Sequence, residues 1–455
     1  MTPPQSKYSG LQTDLYELTM AAAYLETGFD ARLTFELFVR HMPPRRNYLV
    51  AAGLDQALDF LENVNFSGDD IEYLRKLPVF RPIGDNFFEY LSRFRFSGEV
   101  WAMPEGTVLF PGEPILRVTG PAIEAQIAET FLLAAINFQT MIASKAARIT
   151  QAAGGRPVIE FGSRRAHGME AGVLAARAAV IGGCQGTSNV EAGKQFGIPV
   201  YGTQAHSWIM AHEEEEEAFA KFLDIFPEQS VLLVDTYDVR AAIDKIIAMG
   251  RKPRGVRLDS GDVRADSIYA RNRLNQAGWK DVIVFASGDL DEDRISELLA
   301  GGALIDGFGV GTALVNSSDS PALGVIYKLV ETEFDSEVRP VAKFSAAKVT
   351  YPGKKQVYRA SDSLGRYAGD TIGLIGENFS GTECLLVSVM GKGKRTVPRT
   401  DLAEARKRCG EQLARLPEPL RSLSDATAPY PVRYSERLEN SLADVRRRLA
   451  AAARI

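Results

Sequence analysis

The stretch VLLVDTYDVRAAIDKIIAMGRKPRGVRLDSGDVRADSIYARNRLNQAGWKDVIVFASGD, residues 231–289, decides how the chain is read. Three short apolar runs, Val231 to Asp235, Gly255 to Asp259 and Val282 to Ser287, each end in acid or serine. Amphipathic runs of helical length, Val239 to Ala248 and Ser267 to Ala277, separate them. Apolar strands alternating with helices predict a parallel sheet buried on both faces.

The same texture extends in both directions. Val158 to Phe161, Ala179 to Ile181, Pro199 to Gly202 and Ile305 to Val310 read as further strands, with helices at Met169 to Ala178, Glu213 to Asp224 and Asp291 to Ala300. The expected fold class is α/β: an irregular (β/α) barrel over residues 121–323, short of a regular eight-unit barrel. Residues 1–120 read as α+β. A helix is expected at Asp14 to Leu25 with Thr13 as its cap, a strand at Leu33 to Val39, and short strands between Gly98 and Thr119. A helical run, Glu124 to Thr150, leads into the barrel. Residues 324–390 alternate without crossover helices, so they are expected as antiparallel strands returning to the N-terminal part as one discontinuous domain. Residues 391–455 read as a helical C-terminal region, with helices at Asp401 to Leu416 and Ser435 to Ala452.

A chain of 455 residues suggests about three domains at ~150 residues each. Its formal net charge of -5 draws it to no polyanion, so no nucleic-acid partner is expected. Cys184, Cys384 and Cys409 share no CxxC spacing, which suits a reducing compartment. The N-terminal residues MTPPQSKYSG lack a secretory pattern, and no run of about 20 apolar residues is expected anywhere in the chain, so a cytoplasmic chain without membrane partners is expected.

Costly polar residues gather where the strands end, the rim on which barrel enzymes build their sites. Arg164 and Arg165 follow one strand, His206 another, and VDTYD, RLDSGD and FASGD finish three more. Each aspartate has a plainer reading as the N-cap of the next helix. Ser287-Gly288-Asp289 and Gly307 to Thr312 let backbone N–H groups approach a phosphate. His206 beside Asp235 would form an imidazole–carboxylate pair, a competent nucleophile. Glu213 to Glu217, next to His212, point all around a helix and so do not converge on a metal. Arg257 and Asp259 share one side of a strand. They suit a pyrophosphate and a ribose or Mg²⁺, or else a salt bridge within the barrel.

In order from residue 13 to residue 312, TDLYELTM, NFQT, EFGSRRAHG, GTSNVEAG, GTQAHSW, VDTYD, RLDSGD, ASGDL and GFGVGT resemble nicotinate phosphoribosyltransferase. The resemblance implies formation of nicotinate mononucleotide from nicotinate and phosphoribosyl pyrophosphate with Mg²⁺, in NAD salvage. It also implies coupling to hydrolysis of ATP through a phosphorylated histidine. His206 resembles that histidine and Asp235 its orienting carboxylate. Arg164, Arg257 and Asp259 resemble the set that holds pyrophosphate and ribose, with Mg²⁺ possible at Asp259. Gly288, Asp289, Gly309, Gly311 and Thr312 match the 5′-phosphate loops. Phe161 resembles the aromatic stacked on the pyridine ring, and Phe138, Thr187, Ser188 and Ser207 fall in the substrate-binding strings. Tyr16 resembles a residue reaching the ring from a second subunit, which implies a homodimer with shared sites. Ser188 stands where the related nicotinamide enzyme has an acid, so nicotinate is favoured over nicotinamide. The alternatives are a quinolinate or nicotinamide phosphoribosyltransferase and a non-catalytic metabolite-binding barrel. An aldolase-like lyase would want a strand-end lysine, which none of these strands has.

Overall fold

The structure is a computed structural model and describes residues 8–345 and 349–452. Contacts divide the chain into two units, Met1–Thr140 with Ala322–Ile455, and Met141–Pro321. The division falls within a long helix, Glu129–Ala152. The apolar segment that includes this helix, Ala122–Ala152, is long and apolar enough to span a membrane by length and composition. Its window is nevertheless 61% buried inside the protein, as in a core helix.

In the first unit, strand Arg32–Val39 pairs antiparallel with Val325–Phe334 on one side and Pro114–Pro121 on the other. These belong to a seven-stranded antiparallel sheet. Leu33, Leu37 and Val39 are buried on one face and Glu36 on the other, where Glu36 meets the Lys355 ammonium at 2.8 Å. A second, four-stranded sheet contains Lys355–Ser361 and Tyr367–Leu374. The first helix is Leu15–Glu26, capped at Asp14; Thr13 instead hydrogen-bonds the Glu17 carboxylate. Residues 391–455 lie in this unit and contain the helices Leu402–Arg415 and Glu436–Ala452.

The second unit is a mixed α/β structure around a parallel sheet. Its strands are β1 (Val158–Glu160), β2 (Gly186–Thr187), β3 (Val231–Leu233), β4 (Gly255–Leu258), β5 (Ile283–Ala286) and β6 (Gly307–Val310). Its helices are α1 (Glu129–Ala152, from the division onward), α2 (Met169–Ile181), α3 (Val190–Phe196), α4 (His206–Met210), α5 (Glu215–Ile225), α6 (Val239–Ala248), α7 (Val263–Gln276), α8 (Glu292–Ala300) and α9 (Thr312–Val315). The strand order is β2-β1-β6-β5-β4-β3, every pair parallel. The last strand, β6, pairs with the first, β1. Thr187 also bridges Val200, but among the described residues no strand pair joins that segment to β3.

Two expected strands are absent. Ala179 to Ile181 is the last turn of α2, because the run AARAAVI continues the helix's buried face until Gly182 caps it. Pro199 to Gly202 supplies only the bridge at Val200. The aspartates divide by role. Asp238, Asp262 and Asp291 cap α6, α7 and α8 by accepting from Ala241, Ala265 and Arg294, which frees Asp235 and Asp259 for other work.

In the first unit Arg359 lies fully buried, 2.6 Å from Asp370 and 3.9 Å from Glu113. Burial pushes the Glu113 carboxyl well above its usual range, the neighbouring Asp370 adds to the rise, and Arg359 opposes it. Replacing Arg359 by Met leaves the buried Asp370 carboxylate without its cation, so unfolding free energy should fall by about 3–5 kcal/mol in a guanidinium titration. A fall below about 1 kcal/mol would show that Asp370 does not depend on that cation.

Candidate active site

The register of β4 with β5 builds the centre of the site. Arg257 pairs with Phe285 and Leu258 with Ala286, so one residue further on Asp259 comes level with Ser287. Val256 and Leu258 are buried on the helix-covered face, which turns Arg257 and Asp259 to the other side together. Arg257 uses its whole fork. Nε donates to Ser287 Oγ at 2.7 Å, one terminal nitrogen to Thr203 Oγ1 at 2.7 Å and the Gln204 carbonyl at 3.2 Å, and the other to Asp259 Oδ1 at 2.5 Å. Asp259 also accepts from the Ser287 hydroxyl. Burial pushes its carboxyl up, but Ser287, Arg257 and His206 outweigh that and hold it below the ordinary aspartate value. It is an anion at neutral pH.

His206 opens α4 with its ring 41% exposed. Nδ1 lies 3.2 Å from Thr236 Oγ1 and Nε2 lies 3.9 Å from Asp259 Oδ2. The expected partner Asp235 is engaged elsewhere: its Oδ2 accepts from Ser260 at 2.5 Å, and its Oδ1 is buried without a hydrogen-bond partner. The neighbour in sequence, Thr236, bonds the ring instead, and the carboxylate beside Nε2 belongs to the adjacent strand.

Phe161, just beyond β1, borders this centre, with the Arg257 guanidinium over its ring. Its ring lies 5.9 Å from Phe285 and 5.9 Å from the Arg257 guanidinium. A side chain at Gly309 would come within 2.5 Å of that ring, so the glycine makes room for Phe161 rather than only turning the chain. Glu160 is buried beneath, accepting from Thr187 at 2.6 Å and from the Gly162 N–H. Burial raises its carboxyl above the usual range, against those two donors. Thr187 is itself fully buried. Ser188 is half-buried, with its N–H on the Glu160 carbonyl at 2.9 Å.

Arg164 and Ser207 are exposed near these strand ends, and Thr312, following Gly311, opens the single turn of α9. Gly288 and Asp289 both adopt left-handed backbone, φ 86° and 44°. Tyr16 and Phe138 lie in the first unit, Tyr16 exposed with burial and Glu129 raising its phenol, Phe138 half-buried.

A model described as the nicotinate phosphoribosyltransferase (NAPRTase) family matches residues 157–368, and models of its N-terminal and C-terminal domains match residues 11–137 and 375–442. A Mycobacterium tuberculosis H37Rv protein, nicotinate phosphoribosyltransferase pncB2, is 46% identical over 443 residues, covering 96% of this chain and 94% of that one. The chain belongs to the nicotinate phosphoribosyltransferase family. The Bacillus subtilis 168 nicotinate phosphoribosyltransferase is 44% identical over 381 residues, covering 81% of this chain and 77% of its own. The crystal structure of human nicotinic acid phosphoribosyltransferase superposes with a TM-score of 0.83 at 28% identity, covering 95% of this chain and 99% of that one.

In this nicotinate phosphoribosyltransferase family member Thr236, Ser260, Glu160 and Phe285 join the centre without having been expected there, as do Thr203 and Ser287 as partners of Arg257. A signal for Ser287 was present, since parallel β4 and β5 with aligned apolar runs put it opposite Asp259. A Cβ at Gly288 would lie 1.7 Å from the Asp259 carbonyl oxygen at a φ of 86°. Gly288→Ala should therefore cost about 2 kcal/mol or more of stability in a denaturant titration, and an unchanged midpoint would contradict this close approach.

Proposed function

We propose that this chain transfers the phosphoribosyl group of phosphoribosyl pyrophosphate to nicotinate, giving nicotinate mononucleotide and pyrophosphate for NAD salvage. The observation that carries the reading is the Arg257 fork, holding Asp259 and facing Phe161, in a chain of this family. The bond from C1 of the ribose to pyrophosphate breaks as the lone pair of the nicotinate ring nitrogen bonds C1. The transition state is a cation-like sugar between two anions, so the site works by position and charge. Arg257 faces the departing pyrophosphate, Asp259 takes the ribose hydroxyls, and Phe161 offers a flat face to the pyridine ring. Ser188, a donor and not an acid, suits the nicotinate carboxylate, because a buried like charge would repel it. Arg164 and the turns at Gly288, Asp289, Gly309, Gly311 and Thr312 are assigned to the phosphates.

Asp235 and Asp259 would hold Mg²⁺ together with substrate oxygens. The buried Asp235 Oδ1, without a hydrogen-bond partner, suits a hard cation. When bound, the ion neutralises charge on the leaving pyrophosphate.

ATP coupling is assigned to His206. With Nδ1–H donating to Thr236, the Nε2 lone pair attacks the γ-phosphorus as the bond to ADP breaks, and the Asp259 carboxylate faces the ring that gains positive charge. Tyr16 is assigned to the site of a second subunit in a cytoplasmic homodimer. The pairing of the last strand, β6, with the first, β1, supports an irregular barrel of the type II phosphoribosyltransferase kind.

The test offers nicotinate, nicotinamide and quinolinate in turn with phosphoribosyl pyrophosphate and Mg²⁺, with and without ATP. Nicotinate mononucleotide is expected as the main product, and preferential use of either other base would overturn the assignment. His206→Asn should abolish nicotinate-stimulated ATP hydrolysis. ATP use that stays stoichiometric with product in that variant would remove His206 from the phosphoryl step.

A further inference from the structure

Behind the glycine turns lies a buried ion cluster that the transfer chemistry does not use. Lys145 and Arg148, on α1, are almost completely buried. Lys145 Nζ lies 2.6 Å from Glu292 Oε2 and 3.0 Å from Asp319 Oδ1, and Arg148 Nε donates to Glu292 Oε1 at 3.0 Å. Glu292 is the first residue of α8, four beyond Gly288, and Asp319 lies four residues beyond the end of α9, which begins just after Gly311. One ammonium thus touches the segment after each candidate phosphate turn.

Both segments are strained. Among the described residues of the second unit only Asp289 and Ser317 are non-glycine residues with left-handed backbone, φ 44° and 42°. Each lies two or three residues from a carboxylate that Lys145 holds. Such conformations persist only where their surroundings fix them. Burying these charges is no route to stability as such, since apolar residues of similar volume commonly serve as well. What the cluster supplies is a fixed distance between two backbone segments. Burial pushes the Glu292 carboxyl up, but Lys145 and Arg148 outweigh it and keep it below the usual range.

We propose that Lys145 is a positioning residue that locks the turn after β5 to the turn after β6, setting the spacing with which the two turns grip the phosphoribosyl substrate. The substrate in this statement rests on the transfer reading above.

The test compares Lys145→Met, Lys145→Arg and Asp319→Asn by steady-state kinetics and by backbone hydrogen exchange over residues 287–292 and 311–319. Lys145→Met should raise KM for phosphoribosyl pyrophosphate about tenfold or more while KM for nicotinate stays within about twofold, and should speed exchange in both segments. Lys145→Arg, which can still span two carboxylates, should recover most of that loss. Asp319→Asn keeps the Glu292 pair and should speed exchange only over 311–319; it decides the matter if Lys145→Met does not fold. Folded variants with unchanged exchange, or with both KM values raised alike, overturn the proposal. Wild-type protein that transfers nothing to nicotinate would overturn the transfer reading, while the exchange data still decide the role of Lys145.

Discussion

The guanidinium of Arg257 is the constraint on which the site depends. It joins a serine after β5, a threonine and a carbonyl in the segment before α4, and the carboxylate two residues along its own strand. Those groups come from three separate stretches of chain, so one planar cation fixes the relative places of Asp259, Ser287 and the loop that delivers His206. A lysine, with a compact charge and no fork, has no equivalent geometry. Of the two readings of Arg257 and Asp259 that the sequence left open, the salt bridge is present. That bridge sits at the strand ends with both side chains partly accessible, so being paired does not remove them from ligand chemistry.

Around this centre the backbone is shaped by close approach. Gly288 lies against the Asp259 carbonyl and Gly309 against the Phe161 ring, so neither position has space for a side chain. Parallel pairing from β4 through β6 to β1 brings the four strand ends that bear Arg257, Ser287, Val310 and Phe161 to one side of the sheet. The superposition on the human enzyme shows the same overall fold.

Much of this was legible in the sequence. The helix Val239–Ala248 has the expected limits, and β3, β4, β5 and β6 fall inside their apolar runs, because continuous apolar strands between amphipathic helices have few alternative folds. The reading of Ala179 to Ile181 failed because a short apolar run fits a helix end as well as a strand, while the real strand, Gly186–Thr187, is two residues long and has no apolar signature. The partner of His206 was not legible at all. Asp235 and Thr236 are adjacent, and which of them faces the imidazole depends on the direction the chain takes after β3, a tertiary matter that spacing does not encode. The opposition of Ser287 to Asp259, by contrast, follows from strand register and was available in principle.

The most direct test of this account is the kinetics of Arg257→Lys. A charge in the right region but without the fork should lower kcat/KM for phosphoribosyl pyrophosphate by about 100-fold or more in protein that remains folded. A value within about threefold of wild type would show that the cation's geometry does not organise the site.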